Sequence, residues 1–430
     1  MIAQQLVSKA LKKAQGAQAL VLQTEALDVL YENDLLKSTR SSQRTEITVK
    51  VMLDGKVGIS STTDIDDLDG VVARALEAAE FGSPAHFEFP GPQRATEVEI
   101  FDAAVTRLTK PEMIQIGQDM VDTFKGYGAD ILVGAGINRK VTHIEFANSA
   151  GVVFSDDVTD FGADTYGQRV TGTDILAVGD GFAGKQRAAD HRALAQKVVE
   201  QFRLSERIVP IPSGEMPVIF TPAGMSVFVL GLWMGLNGKN VQTGASPLAS
   251  KLGQRIADPR FSLIDNPLID YAPNSSPYDI EGVTAQVTPL IEQGVVKNFL
   301  YDLETAGRMG ARSTGHGSNR QPTNLIIPPG DVPYAEMIKG IREGLIVHDM
   351  LGLGQGNLIG GAFSVNIAVG YRISNGEIVG RVKDVMLAGN IYEALNQITA
   401  LSQETEWPGG AVFRGCFPYV QFEKLNVVGQ

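Results

Sequence analysis

Five histidines are scattered along this 430-residue chain: His86, His143, His191, His316 and His348. A hydrolytic zinc site needs two or three His, Asp, Glu or Cys ligands on a rigid element, and a glutamate that takes a proton from the metal-bound water. No two of these histidines lie within five residues of one another, so neither H-E-x-x-H nor the wider H-E-x-x-x-H helix exists here. Only a metal site assembled from distant segments stays open. The run Gly179-Asp180-Gly181-Phe182-Ala183-Gly184-Lys185 satisfies the G-x-x-x-x-G-K part of a phosphate loop. Gln186 stands where the magnesium-binding Ser or Thr belongs, and the flanking β-type segments look antiparallel, so an ordinary loop is the simpler reading. Gly352, Gly354 and Gly356 miss the dinucleotide spacing and read as a tight turn. There is no G-x-S-x-G elbow, and the lone Cys416 reads as a structural thiol.

Two polar clusters remain. In Pro277-Tyr278-Asp279-Ile280-Glu281-Gly282, Asp279 and Glu281 occupy alternate positions, so an extended backbone puts both carboxylates on one side, lining a cleft or capping a turn. The run from Arg312 to Arg320 is glycine-rich and twice basic, and it carries Arg312, His316, Asn319 and Arg320 on a predicted loop between β regions. Ligand contacts concentrate on such loops, although a solvated surface loop is the plainer reading.

The elements that must position these groups fall into two parts. Helical periodicity marks Ile2 to Ala14, Asp67 to Phe81 and Ala188 to Phe202, and Pro111 to Phe124 with Thr109 as its cap. Alternation marks short strands at Ala19 to Leu22, Leu27 to Leu30, Glu46 to Leu53, and in several runs between Ile131 and Val170. These runs are too close for intervening helices, which predicts a partly antiparallel sheet. Pro210, Pro212 and Gly214 suggest a boundary, giving an N-terminal α/β domain over 1–205 and a β-rich domain over 206–430, an α+β chain overall. The second domain opens with a predicted buried helix capped by Thr221 and started by Pro222, ahead of many short β runs.

A net charge of -12 argues against nucleic acid, whose backbone demands clustered Lys and Arg. The most apolar stretch, Pro222 to Leu236, is shorter than the ~20 residues a membrane span needs. With one cysteine and no export signal at the N-terminus, the expectation is a reducing, cytoplasmic setting.

Taken in order, the C-terminal segments resemble the TldD/PmbA family. These are Asp279-Ile280-Glu281-Gly282, then Glu292 to Asp302, Thr305-Ala306-Gly307-Arg308, Ser313-Thr314-Gly315, Pro322-Thr323-Asn324, Ser374-Asn375-Gly376 and Ala388-Gly389-Asn390. The N-terminal half matches more loosely, through Asp54 to Gly58 and Ala147 to Gly151. The resemblance implies a two-domain protein that dimerises around a chamber. In the TldD branch the helix opening the C-terminal domain carries H-E-x-x-x-H, completed by a later cysteine. That motif falls here on Val229, Leu230 and Met234, and the cysteine position falls near Ser402 to Glu406 rather than on Cys416. This resembles the PmbA (TldE) branch. It implies a non-catalytic subunit with no cofactor of its own, zinc being held by a TldD-type partner that cuts unfolded peptides. A stand-alone homodimeric peptide-binding protein is the alternative, and neither reading involves nucleic acid or membrane.

Overall fold

The computed structural model describes residues 1–187, 190–317, 320–409 and 414–429. Its first half consists of α1 (Ile2–Ala10), β1 (Gly16–Glu32), β2 (Leu35–Leu53), β3 (Lys56–Thr62), α2 (Leu68–Glu80), α3 (Ala103–Thr106), α4 (Lys110–Tyr127), β4 (Leu132–Asn148), β5 (Val153–Thr171), β6 (Asp174–Gly184) and α5 (His191–Leu204). The strands form one antiparallel sheet in the order β3-β2-β1-β4-β5-β6. The short strands expected at Ala19 to Leu22 and Leu27 to Leu30 are one continuous strand. Gln23, Thr24 and Glu25, which read as a break, pair with β2 on one side and β4 on the other, so their backbone groups are satisfied in extended form. The Asp54-Gly55 turn, with φ of 49° and 71°, closes the β2–β3 hairpin as expected.

All the longer helices of this half cover one face of the sheet. Leu6, Val7, Ala75 and Ala79 from α1 and α2 share a buried cluster with Val21, Ile47 and Val49. Phe124 of α4 and Phe202 of α5 meet edge to face at 6.2 Å above Val133, Ile137 and Val178. Thr109 and Glu112 form a reciprocal capping box at the start of α4.

The second half comprises β7 (Gly214–Phe220), α6 (Ser226–Leu236), α7 (Gly238–Gln242), β8 (Leu263–Asp265), β9 (Thr288–Glu292), β10 (Val295–Val296), α8 (Leu303–Met309), β11 (Leu325–Ile326), α9 (Tyr334–Lys339), β12 (Glu343–Leu351), β13 (Ala362–Ser374), β14 (Glu377–Arg381), β15 (Met386–Asn390), α10 (Ile391–Ala394), β16 (Ile398–Glu406) and β17 (Gly415–Val428). The strands β7, β12, β13, β15 and β17 close on themselves, because β7 pairs in parallel with β12 and antiparallel with β17. The result is an α+β protein with an N-terminal sheet domain and a β-rich C-terminal part built on a barrel.

The helix expected from Pro222 begins four residues later, at Ser226. Thr221 does cap, but it caps a turn: its Oγ1 accepts from Gly224 N at 3.2 Å. The alternating stretch from Val295 to Leu303 forms only the short β10, since Asp302 caps α8 at Thr305 N, and the stretch after Glu377 forms β14 and β15 separately. Short α8, α9 and α10 carry too few residues for periodicity to show in sequence.

The helix α6 is apolar on every side and is buried accordingly. Phe228 lies 4.8 Å from Phe422 in a stacked pair and 5.0 Å from Phe220 edge to face, with Phe363 beside it. A second cluster joins the halves, because Ile219, Ile346, Val369 and Tyr371 of the barrel pack with Phe124 and Phe202. Among the described residues no helix is long and apolar enough to cross a membrane. Phe228→Ala should cost about 3–5 kcal/mol of unfolding free energy, read from denaturant titration, because the surrounding aromatic cage cannot collapse into the void.

Candidate functional site

The two polar clusters singled out in the sequence meet in space, and they are woven into the fold. Asp279 is enclosed by protein and accepts from Glu281 N, Val283 N and Gly317 N, each at 2.9 Å. Glu281 receives Lys50 Nζ at 2.9 Å and Leu303 N at 2.8 Å. His316 is buried between Thr314 Oγ1 and the carboxylate of Asp265, each 2.9 Å away, and Asp265 also accepts from Thr323 N and Oγ1. Arg320 pairs with Asp302, while its carbonyl accepts from Trp233 Nε1 at 3.0 Å. Arg312 is exposed, and Asn319 lies outside the described residues.

This segment is a latch between the halves. Lys50 comes from β2, Gln18 of β1 donates to Ile280 O at 2.9 Å, and Tyr278 stacks on Phe154 of β5 at 4.4 Å. Burial raises the Asp279 carboxyl to about 6, and the neighbouring Glu281 adds to the rise. The folded state therefore holds this proton more tightly than the unfolded chain. The stabilisation is fully present below the ordinary carboxylate range and is lost as pH rises through about 6. Between pH 4.5 and 7 (a range of about two units around that titration), the denaturation midpoint of Asp279→Asn should fall less with rising pH than that of the unaltered protein. Lys50→Met should cost about 3–5 kcal/mol, since it leaves the Glu281 carboxylate buried without its ion partner.

The principal cavity lies elsewhere, between the barrel on one side and the β5–β6 edge of the N-terminal sheet with α5 on the other. It measures about 710 Å³, and neither Asp279, Glu281, Arg312, His316 nor Arg320 lines it. Its floor is set by strand geometry. Asp160, Gly162, Asp164 and Tyr166 alternate along β5 and so share one face. Across the ladder, Gly134 and Gly136 of β4 leave the space that the Tyr166 ring and the Asp164 carboxylate fill; a Cβ on Gly134 would come within 2.2 Å of that ring. Of the Gly179 to Lys185 run, Gly179 to Gly184 form the wall as part of strand β6, paired with β5, rather than the loop expected. An extended edge strand does not cradle phosphate, and Lys185 is buried beside Asp160 at 3.3 Å.

From the opposite side come Thr221 and Ser226, at the approach to α6, His348 and Asp349 of β12, and Glu406 and Tyr419 of β16 and β17. Lys197 of α5 bridges the parts, pairing with Asp180 at 2.7 Å and with Glu406. Burial alone would pull the Lys197 ammonium down, but the two carboxylates outweigh it and hold it protonated. Tyr419 donates to Glu406 at 2.8 Å and stacks on Tyr334 at 3.8 Å. The Tyr371 hydroxyl is pushed up to about 12 by burial and donates to Gln201 Oε1 at 2.6 Å. Burial lowers His348, so its ring is neutral at physiological pH. The period-two alternation of Asp160, Asp164 and Tyr166 was a signal available in the sequence. Its partners, far along the chain in β12 and β16, were not.

Val229, Leu230 and Met234 all lie on α6, where Val229 is buried and the other two are half-buried against the barrel core. Aliphatic side chains have no lone pair for a metal, and a thioether suits soft ions rather than the hard water-activating site of a zinc hydrolase. Nor does the region of Ser402 to Glu406 supply a thiol: Glu406 is engaged with Lys197 and Tyr419, and Cys416 is a half-buried thiol on β17 that burial pushes up. Among the described residues no three His, Cys, Asp or Glu side chains gather in a way that could hold a metal ion. These residues do not fit a zinc site of the H-E-x-x-x-H kind.

Residues 213–429 match the model of the PmbA/TldA metallopeptidase C-terminal domain, and residues 17–79 match that of PmbA/TldA metallopeptidase domain 1. The chain belongs to the PmbA/TldD family. It is 27% identical to an uncharacterized protein of Methanocaldococcus jannaschii over 370 residues, 83% of this chain and 84% of that one. A metalloprotease of Methanothermobacter thermautotrophicus is 34% identical over 221 residues, 50% of this chain and 47% of the relative. The crystal structure of TldE from Thermococcus kodakarensis superposes with a TM-score of 0.90 over 100% of both chains at 20% identity, a likeness of fold.

Proposed function

We propose that this chain is the non-catalytic, TldE-like subunit of a metalloprotease assembly that cuts unfolded or extended peptides. The observation that carries this reading is the chemistry of α6. The helix that opens the C-terminal part presents Val229, Leu230 and Met234 at the positions the family resemblance assigns to ligands and base, and none can bind zinc or accept a proton from water. The ion would then sit in a TldD-type partner, and this chain would supply chamber wall and dimer face. An extended peptide can be held there without regard to sequence by pairing with a sheet edge.

Mixed with a TldD-type subunit and a disordered substrate, the protein should give metal-dependent cleavage that neither component gives alone. Equal cleavage by the partner alone would remove the subunit reading. A stable self-dimer that ignores the partner would favour a stand-alone peptide-binding protein. Elemental analysis of the purified chain should find no stoichiometric zinc, and one tightly held ion per chain would overturn the assignment.

A further inference from the structure

The cavity between sheet and barrel has an unbalanced charge once its internal pairs are set aside. Asp160 is matched by Lys140 at 2.9 Å and Lys185 at 3.3 Å, and Asp180 and Glu406 share Lys197. Among the described lining residues Asp164, Asp349 and Arg414 are left without an ion pair, two carboxylates against one guanidinium. Among the described residues the Asp164 carboxylate makes no hydrogen bond; burial pushes it up, and Arg414 opposes this only from beyond pairing distance. It is nonetheless held in place: it lies over Gly136, where a Cβ would come within 2.7 Å of Oδ1, with Gly181 on its other flank. Its exposed surface opens on the cavity, beside the exposed Tyr166 ring on the same strand face. A fixed, half-enclosed carboxylate next to aromatic surface is the chemistry that receives an ammonium or guanidinium group.

A second group points to the same occupant by a different route. His348 is enclosed by protein on nearly every side, and the accessible part of its ring opens on the cavity. Thr221 Oγ1 accepts from Gly224 N and lies 3.3 Å from His348 Nδ1, so Nδ1 is engaged within the protein. Among the described residues Nε2 has no hydrogen-bond partner. An unanswered imidazole nitrogen calls for a main-chain partner, a carbonyl when it carries the proton and an N–H when it does not.

We infer that this cavity binds a basic side chain, lysine or arginine, of an extended peptide, with Asp164 as its counter-charge and His348 Nε2 on the peptide backbone. The inference rests on the peptide-handling role proposed above and adds a substrate preference to it.

The test uses the full chain without a partner, titrated by fluorescence anisotropy with labelled, unstructured Gly/Ser peptides that carry a single Lys, Arg, Gln or Glu. The Lys and Arg peptides should bind about tenfold more tightly than the Gln peptide, as expected for one desolvated charge-assisted contact. Their advantage should shrink with added salt, while Gln binding stays level. Asp164→Asn, which removes no internal partner and should keep the unfolding midpoint, should reduce Lys and Arg binding to the Gln level. Equal binding of all four peptides, or a basic preference that survives Asp164→Asn, would overturn the inference. So would butylamine binding as tightly as the Lys peptide, because the site would then take free amines. None of these results depends on cleavage with a TldD-type subunit, so the subunit role and the basic-residue preference fail separately.

Discussion

The burial of α6 in the barrel is the constraint on which the rest depends. A helix that is apolar on all sides must have most of its surface against protein, and the barrel strands with their neighbouring segments cover α6 except where Leu230, Trp233 and Met234 stay half-buried. Phe228 is gripped by Phe220 and Phe422, which belong to two strands that pair directly with each other. The helix therefore fixes the barrel seam, and the seam fixes the helix. Its approach, the Thr221–Gly224 turn, is held at the rim, where it meets His348 and forms part of the cavity. The same apolarity that allows such burial removes every group that would make α6 a metal-binding helix.

Two of the contacts that join the halves differ in character. One is apolar, where Phe124 and Phe202 share a buried cluster with barrel residues Ile219, Val369 and Tyr371. The other is polar, where the segment around Asp279 and Glu281 latches onto β1, β2 and β5. The cavity lies where the β5–β6 edge of the sheet and α5 face the barrel. Ionisable groups at the latch work structurally. Those in the cavity include internally paired sets around Lys197 and Asp160, while Asp164, Asp349 and Arg414 have no ion pair among the described residues.

Glycine shapes this gap more than any charged residue does. Gly134 and Gly136 in β4 let Tyr166 and Asp164 lie across the sheet instead of standing up from it, and Gly181 in β6 admits Asp164 from the other side. The glycines of the G-x-x-x-x-G-K run thus serve close packing on a sheet. The match to a phosphate-loop pattern reflects composition without the turn that such a loop requires.

By itself the sequence determined what depends on neighbours along the chain. The Asp54-Gly55 hairpin, the Thr109 capping box and the apolar character of α6 are local, and so is the absence of donors at Val229, Leu230 and Met234. Tertiary structure decided what depends on partners far away. Polar stretches such as Gln23 to Glu25 remain strand because two neighbours bond them, and Asp279, Glu281 and His316 became a latch because Lys50 and Asp265 reach them. Periodicity reports which face of an element is apolar, but burial and pairing of a charge are set by groups hundreds of residues away. Asp164 shows the difference: its side of the strand was readable from alternation, and its lack of a partner emerged only when the barrel closed opposite the sheet.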